Sequence, residues 1–459
     1  MKKRLLPALC LLISLTASAQ IQHGVRDAAG RHVVARGFVV NTDDGVGELF
    51  YRPDDYTRMA RMGANYQVVR LALGRLSTFS GNKPDANYLR KLDSLVAMGR
   101  DVGIETVFKM TVYGVKDWSW EKLYLNQNNE QQIYSEAWKL IWNRYQKDPH
   151  VRGYDLVNEP RKLDMAISYG ELTDKYLIPI YRNLIDEGDK INDRKTYFVQ
   201  SIFMNKGEAI ENNQYAEIMT PIDRKNVVFT PHIYQNKNEY VKPIMNRFNQ
   251  EAARMNGLMF VGEWGFPTFD STDSSVAQQA NYRDFYIHIA DVFDSLGVGT
   301  IKAWFTGNRS KQHFMSGGPS TWAIFSNEKG VGTVERKYIT DLIARPYPQA
   351  IAGDIQSFKF DHATRTLDLF VQTDNGKGAS RIFVGANRHY PDGFSILCGD
   401  SLVLVYNPLK KVGLEVVKAK QNSNPTDFVW DESRQQLHIL QWPEDKKKLH
   451  LRILPGLRD

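Results

Sequence analysis

Eight short apolar runs, rich in β-branched and aromatic residues, recur along the first 306 residues. They are 33–40, 66–73, 104–110, 151–159, 196–203, 227–234, 258–265 and 299–306. Segments with a helical period lie between them, most clearly 88–103, 137–148 and 176–188. Strands alternating with helices indicate a parallel sheet, and eight such units predict a closed (β/α)8 barrel, the TIM barrel. An open doubly wound sheet is the alternative, but no GxGxxG motif follows the first run.

The pattern changes near residue 345. The segment 344–354 contains proline and glycine and has no period, and the strand-like runs that follow have no helices between them. They are 355–360, 366–372, 380–386, 400–407, 413–420, 436–442 and 448–454, with turn signals such as DNGKG and NPLKK. This pattern predicts a C-terminal all-β sandwich domain over 346–459, after a barrel over 20–345.

Residues 1–19 have the features of a secretory signal peptide. A basic start, MKKR, precedes the apolar run LLPALCLLISL and the small residues Ala17-Ser18-Ala19. Cleavage near Gln20 would remove Cys10 and leave Cys398 alone, so no intrachain disulfide is expected. The sequence therefore predicts a secreted or periplasmic protein whose stability comes from its hydrophobic core and not from disulfide bonds.

Composition excludes several classes of protein. Of the 459 residues, 42% are hydrophobic and 24% charged, as in an ordinary globular protein. The net charge of +7 comes from scattered lysines and arginines without a basic helix, so no nucleic-acid partner is predicted. Beyond the signal peptide no unbroken apolar stretch reaches 18 residues, and HExxH, EF-hand and CxxC motifs are missing. We therefore expect no membrane span, metal or cofactor; the sequence carries no signal of oligomeric state.

Polar residues stand at the carboxyl ends of the apolar runs, where the catalytic groups of such barrels lie. They are Arg70 on the second run, Asn158 and Glu159 on the fourth, His232 and Tyr234 on the sixth, Glu263 on the seventh and Trp304 on the eighth. Closure of the barrel would bring them to one mouth. Asp155, earlier in the fourth run, is interpreted as structural.

Two carboxylates at one mouth favour hydrolysis of a glycosidic bond. One carboxylic acid protonates the leaving oxygen, and the other carboxylate, about 5 Å away in a retaining enzyme, attacks the sugar. We expect Glu159 to be the acid, with a raised pKa, and Glu263 to be kept ionised by Arg70. Tyr234 is predicted to donate a hydrogen bond to Glu263.

The remaining residues of the set suit contacts with a sugar. Asn158 is predicted to hold a hydroxyl group beside the reacting carbon, and Trp304 to offer a flat apolar face to a sugar ring. His232 is predicted to donate to a hydroxyl or to orient another side chain.

The ordered set resembles glycoside hydrolase family 5. Asn158-Glu159-Pro160, His232-Ile233-Tyr234 and Glu263 within GEWG match the family's pattern in order, together with Arg70 and Trp304. The resemblance covers residues 21 to about 345. It implies that Glu159 is the acid/base, that Glu263 is the nucleophile, and that configuration is retained.

A narrower resemblance, to the endoglycoceramidase branch, comes from RPYPQAIAG (345–353), RHYPDGFSI (388–396) and VYG (112–114). It implies cleavage of the glycan–ceramide linkage of glycosphingolipids, and hence contact with a membrane surface. The branch usually has a histidine before VYG that meets the sugar, and an aspartate two residues after it. Here Lys109 and Thr111 stand at those places, so Lys109 is predicted to contact the glycan and to change which glycan is accepted.

Aromatic residues in two long connections predict an apolar track beside the mouth. Trp118 and Trp120 follow the third run, and Trp322 follows the eighth. Such a track suits a ceramide, but a polysaccharide cleft is lined in the same way. Two alternatives therefore remain: an endo-β-1,4-glucanase or mannanase, and a carbohydrate- or lipid-binding protein on a barrel that has lost activity.

Overall fold

The computed structural model describes most of the chain that follows the predicted signal peptide. The described residues are 25–42, 51–76, 83–162, 166–191, 195–203, 216–235, 237–266, 276–305, 324–326, 334–410, 414–416, 427–442 and 448–458. Among these residues, no helix combines the length and the apolar composition that crossing a bilayer requires.

Two short strands precede the barrel, β1 (Val25–Arg26) and β2 (His32–Val33). They pair with each other, and β2 pairs antiparallel with a strand at Ala350 and Ile351, far along the chain. Residues 25–33 are therefore part of the C-terminal β domain, although the sequence placed them with the barrel.

The parallel strands of the barrel are β3 (Arg36–Asn41), β4 (Tyr66–Ala72), β5 (Glu105–Thr111), β6 (Val151–Asp155), β7 (Thr196–Val199), β8 (Val227–Phe229), β9 (His232–Tyr234), β10 (Phe260–Gly265) and β11 (Gly299–Lys302). The sheet order is β8-β7-β6-β5-β4-β3-β11-β10-β9. Strands β8 and β9 both come from the sixth predicted run, which Pro231 interrupts because proline has no N–H to donate. Since β8 pairs with β7 and β9 with β10, this broken strand joins the two ends of the sheet. The predicted (β/α)8 barrel is confirmed.

Helices pack their apolar faces against the sheet. They are α1 (Pro53–Arg61), α2 (Leu73–Leu76), α3 (Ala86–Asp101), α4 (Trp120–Tyr124), α5 (Glu130–Tyr145), α6 (Tyr169–Leu172), α7 (Ile178–Asp189), α8 (Asn238–Arg254), α9 (Val276–Leu296) and α10 (Lys337–Ile343), and α11 (Ala386–His389) lies in the β domain. Helix α3 shows how the sequence specifies them. Asp85 caps its first turn by accepting the N–H groups of Asn87 and Tyr88, and Leu92, Leu95 and Val96 form its buried face.

The C-terminal domain consists of two antiparallel sheets. After a short hairpin, β12 (Phe325–Ser326) and β13 (Val334–Glu335), its strands are β14 (Tyr347–Ile351), β15 (Gly353–Asp361), β16 (Thr366–Thr373), β17 (Ser380–Phe383), β18 (Phe394–Cys398), β19 (Ser401–Tyr406), β20 (Leu414–Val416), β21 (Phe428–Asp431), β22 (Gln436–Ile439) and β23 (Lys448–Pro455). The sheet orders are β1-β2-β14-β17-β22-β21 and β15-β16-β23-β18-β19-β20. A shared apolar core includes Ile382 and Leu451, so the predicted sandwich is confirmed.

A buried charge cluster lies where the two domains meet. Asp294 of α9 accepts a hydrogen bond from Arg36 of β3 at 2.6 Å and one from Nε of Arg345 at 2.9 Å. The guanidinium of Arg36 also lies 3.9 Å from the ring centre of Tyr347. The cluster connects the first barrel strand, a barrel helix and the segment that enters the sandwich.

Candidate active site

Four neighbouring barrel strands place polar side chains side by side. The register pairs Asn41 with Arg70, Arg70 with Lys109, and Lys109 with Asp155. All four residues are buried, although the strands around them are apolar. Because buried charges need partners, this row of polar groups is expected to form one interacting network.

The two glutamates meet at the same end of the barrel. Glu263 lies on β10 beside His232 of β9 in the parallel register. Glu159 follows the end of β6. A carboxylate oxygen of Glu159, one of Glu263 and a ring nitrogen of His232 all lie within 4.8 Å of one another. This spacing matches the roughly 5 Å of a retaining glycosidase and is shorter than the roughly 6.5–9.5 Å of an inverting one.

The backbone at Glu159 has a left-handed conformation, with φ at 46°. A non-glycine residue adopts it at some cost, so neighbouring groups must hold it in place. The backbone N–H of Glu159 donates to the side-chain oxygen of Gln200 at 3.0 Å, and the N–H of Asn158 donates to the carbonyl of Met110 at 3.1 Å. The amide nitrogen of Gln200 in turn donates to both carboxylate oxygens of Asp155, at 3.1 and 2.9 Å.

Glu263 is surrounded by donors. Lys109 donates to Oε1 at 2.8 Å, and the hydroxyl of Tyr234 donates to Oε2. Burial alone would raise the pKa of Glu263, but the charge and hydrogen bond of Lys109, together with the charge of Arg70, outweigh burial and hold that pKa well below its usual range. Glu263 is therefore a carboxylate at any ordinary pH, as a nucleophile requires.

As expected, the charge of Arg70 helps to keep Glu263 ionised, although the hydrogen bonds of Arg70 go to other residues. Its guanidinium donates to Oδ1 of Asn41 at 3.3 Å and to the hydroxyl of Tyr113 at 3.1 Å. It also lies 4.7 Å from the ring centre of Trp304. Arg70 acts on Glu263 by charge at longer range, whereas Lys109 makes the direct contact.

The prediction that the pKa of Glu159 is raised is wrong, because that pKa is lowered. Burial is the largest influence and raises this pKa, but the lowering influences together outweigh burial. They include the 3.0 Å hydrogen bond between Oε1 and Nδ1 of His232 and the charge of Arg161, whose Nη2 lies 3.5 Å from Oε2. The pKa of Glu159 therefore lies below its ordinary value in the free site.

The residues predicted to contact substrate differ in their exposure. Lys109 is fully buried beneath Glu263, and Trp304 is only 3% exposed. Trp118 and Trp120 pack edge to face with ring centres 5.5 Å apart, and both contact the main core of the barrel. Trp322 lies outside the described residues. Asn158 is half-buried, and among the described residues no donor reaches its buried Oδ1, which leaves that oxygen able to bind a hydroxyl group.

Three residues of the site were missed in the sequence. Gln200 follows the last residue of β7, and a polar residue at the end of an apolar run is the same signal that indicated Glu159. A buried neutral amide is less unusual than a buried carboxylate, so Gln200 was not selected. Arg161, 46% exposed in its side chain, stands beside Glu159 and over the ring of Phe203. Tyr113, within VYG, binds Arg70. Asp155 is more than a distant support, since its Oδ2 lies 3.6 Å from Nζ of Lys109.

Comparison with known families covers both domains. The model of the cellulase family, glycosyl hydrolase family 5, matches residues 27–301. The model of the glycoside hydrolase family 5 C-terminal domain matches residues 345–453. The first match alone covers more than half of the chain.

Individual relatives are more distant. An endoglycoceramidase from Cyanea nozakii is 23% identical over 298 residues, which are 61% of this chain and 53% of the relative. A cellulase from Thermoanaerobacterium sp. is 29% identical over 181 residues, 36% of this chain and 42% of that protein. The chain thus spans about half the length of these curated relatives or less.

A solved structure is similar over almost the whole chain. Endo-glycoceramidase II from Rhodococcus sp., in a complex with ganglioside GM3, has a TM-score of 0.70 and 16% sequence identity, and covers 95% of this chain and 99% of its own. At this identity the likeness supports the fold, a barrel joined to a β-sandwich. The family models show that the chain belongs to glycoside hydrolase family 5.

Proposed function

We propose that the chain is an exported, retaining β-glycosidase that releases the glycan from glycosphingolipids or related glycolipids. Glu159 is the acid/base and Glu263 the nucleophile. The observation that carries this proposal is the approach of a carboxylate oxygen of each residue to within 4.8 Å of the other, a spacing that suits direct attack by one carboxylate in a retaining enzyme.

The first step forms a glycosyl–enzyme ester. The Glu263 carboxylate attacks the anomeric carbon, the bond from that carbon to the lipid-side oxygen breaks, and the proton of Glu159 passes to the departing oxygen. Oε1 of Glu159 is occupied by His232, so Oε2 is the oxygen that carries the proton. Tyr234 and Lys109 hold Glu263 in one orientation for the attack.

The second step returns the enzyme to its starting state. Glu159, now a carboxylate, takes a proton from water, whose oxygen attacks the anomeric carbon. The ester bond breaks and Glu263 leaves as a carboxylate, which the ammonium of Lys109 stabilises. Two inversions give overall retention.

The lipid side of the substrate is supported by the relatives. The Cyanea nozakii protein is named an endoglycoceramidase, and the similar Rhodococcus structure is a complex with a ganglioside. Likeness to that structure includes the sandwich as well as the barrel, because it covers 95% of this chain. A substrate anchored in a bilayer would bring the mouth of the barrel to a membrane surface.

A polysaccharide substrate is the second candidate. The observation that favours it is the match to the Thermoanaerobacterium sp. cellulase, whose 29% identity exceeds that of the endoglycoceramidase over a shorter segment. On this alternative the same two glutamates would cleave β-glucan or mannan chains.

Hydrolysis across a substrate panel tests the proposal. Purified protein would be offered a fluorescent-acyl glycosphingolipid, a glucosylceramide, a steryl glucoside, soluble β-glucan and mannan, with products read by mass spectrometry. We expect an intact glycan and ceramide from a glycolipid, and no products with the Glu263→Gln variant. Reducing ends from glucan or mannan, with every glycolipid untouched by active protein, would reject the lipid substrate in favour of the polysaccharide.

Export is tested separately. We expect protein expressed from the full reading frame to leave the cytoplasm and to begin near Gln20, as N-terminal sequencing would show. Recovery of the uncut chain from the cytoplasm alone would contradict export without touching the catalytic proposal.

A further inference from the structure

Lys109 lies under the catalytic pair and has no exposed surface. Its ammonium is 2.8 Å from Oε1 of Glu263, 3.0 Å from Nε2 of His232 and 3.6 Å from Oδ2 of Asp155. A fully buried amine with these contacts cannot rotate out to a substrate without leaving buried charges unpaired. The role of Lys109 must therefore come from these contacts within the protein and not from a contact with substrate.

The contact with His232 specifies where the proton of that ring lies. A lysine ammonium has three donors and no acceptor, so Nε2 of His232 must accept. A neutral imidazole with an accepting Nε2 carries its hydrogen on Nδ1, which is 3.0 Å from Oε1 of Glu159. Burial and the charge of Lys109 both lower the pKa of His232, which keeps the ring neutral.

The titratable groups around these residues come from every neighbouring element of the site. They are Arg70 of β4, Asp155 of β6, Glu159 after β6, His232 and Tyr234 of β9, Glu263 of β10, and Lys302 of β11, which interacts electrostatically with Glu263. Burial raises the pKa of Asp155 to about 7, so Glu263 is the neighbour of Lys109 that stays ionised across the acidic range.

We propose that Lys109 is a positioning residue that sets both catalytic glutamates through two hydrogen bonds. One keeps Glu263 ionised and oriented; the other holds His232 as the neutral Nδ1–H tautomer, which donates to Glu159. This inference rests on the proposed roles of Glu159 and Glu263, but it does not depend on whether the aglycone is a lipid. It replaces the expectation that Lys109 contacts the glycan.

The tautomer of His232 can be observed without any substrate. We would record long-range proton–nitrogen NMR spectra of wild-type protein labelled with nitrogen-15 histidine, and assign the ring by its loss in His232→Gln. We expect a neutral ring protonated at Nδ1 near pH 7. A ring protonated at Nε2, or at both nitrogens, would overturn the proposal even if the enzyme cleaves glycolipids as proposed.

The pH profile tests the effect on Glu263. With an aryl β-glycoside, Lys109→Met should lower kcat/KM at neutral pH by about 10²-fold. The acid limb of kcat/KM should move up by about one pH unit or more, because Glu263 loses its nearest opposite charge. Lys109→Arg retains a cation, so the acid limb of its kcat/KM should stay at the pH found for wild type, even if kcat/KM itself falls.

A matched control separates this role from packing. Lys195 is also buried, and its ammonium donates to the carbonyl groups of Asp148 and Val151, each at 2.6 Å. Lys195→Met should lose stability while leaving the pH profile unchanged. A folded Lys109→Met protein with the wild-type acid limb would overturn the proposal. If no β-glycoside is hydrolysed, the catalytic assignment fails, and the tautomer measurement still decides the structural claim.

Discussion

The side-chain oxygen of Gln200 lies 3.0 Å from the backbone nitrogen of Glu159 and accepts its hydrogen bond. This bond helps to hold Glu159 in its left-handed conformation, with φ at 46°. The other end of the Gln200 amide is held by Asp155. The direction of the Glu159 side chain thus depends on Gln200, the residue that follows the neighbouring strand β7.

Replacing Gln200 by leucine should therefore impair catalysis as well as stability. We expect kcat/KM to fall by about 10- to 100-fold, because a misplacement near 1 Å is enough for such a loss. The free energy of unfolding should fall by about 1–3 kcal/mol, since Asp155 loses both hydrogen bonds from the Gln200 amide. Gln349→Leu is the control: this residue is equally buried and donates to the carbonyl of Gly63 at 3.1 Å. Equal losses of activity in both variants would contradict a specific role for Gln200.

The two glutamates should respond differently to removal and rescue. Glu159→Ala should retain hydrolysis of a dinitrophenyl glycoside, whose leaving group needs no proton, and lose hydrolysis of glycosides with poor leaving groups. Azide should rescue this variant and give the β-glycosyl azide, whereas Glu263→Gly with azide should give the α-anomer, because the nucleophile is replaced on its own face. Proton NMR of the products distinguishes the anomers, and the reverse pattern would exchange the two assignments.

The sequence was sufficient to find the barrel and the two glutamates. Apolar runs report strands that are buried on both faces, and a carboxylate at the end of such a run is costly unless a site uses it. The ends of β6 and β10 therefore stood out as Glu159 and Glu263. The hydrophobic pattern of a few consecutive residues is enough to locate a strand and the polar residue at its end.

Features that depend on distant pairing or on rotamers could not be found in this way. The N-terminal strand β2 pairs with Ala350 and Ile351, and no local pattern indicates a partner more than 300 residues away. Lys109 was recognised as unusual, but its position on the strand is compatible with a side chain turned to substrate or under Glu263. Only the surrounding carboxylate and imidazole decide between these, and they come from β9 and β10.

Arg161 should influence the alkaline limb of the pH profile. The acid must be protonated to act, and Arg161 helps to lower the pKa of Glu159. Arg161→Gln should therefore move the alkaline limb of kcat/KM to higher pH. The side chain is 46% exposed and its charge is screened, so we expect a shift of about half a unit. Arg224→Gln, which removes an exposed arginine paired with Asp186, should leave the limb in place; a downward shift for Arg161→Gln would contradict the argument.

Glu251 of α8 should make the fold less stable as the pH rises. It is buried, accepts hydrogen bonds from Ser201 at 2.8 Å and from the N–H of Ile218 at 3.1 Å, and burial raises its pKa from 4.5 to about 7. Because the folded state binds the proton more tightly than the unfolded state, this group lowers stability between about pH 4.5 and 7, and the loss is complete above pH 7.

Glu251→Gln removes that titration. The variant should be more stable than wild type by about 1–3 kcal/mol at pH 8 and no more stable at pH 4, as measured by urea denaturation. Glu217→Gln is the control, because Glu217 is half-exposed in its pair with Arg254 and should change stability little at either pH. A gain at pH 4 that equals the gain at pH 8 would show that packing, not ionisation, is responsible.

The cluster of Arg36, Asp294 and Arg345 should be essential to the junction of the domains. Asp294 is the carboxylate that both arginines contact, so Asp294→Ala leaves two buried guanidinium groups without it. We expect the free energy of unfolding to fall by about 3–5 kcal/mol, the range found when one partner of a buried ion pair is removed. Asp186→Ala, which breaks the exposed pair with Arg224, should cost about 1 kcal/mol or less.

Because Arg345 leads directly into β14, the loss of Asp294 should also separate the unfolding of the barrel from that of the sandwich. Calorimetry should then show two transitions where wild type gives one. A single transition with a loss below about 1 kcal/mol would mean that solvent, rather than Asp294, balances the two arginines.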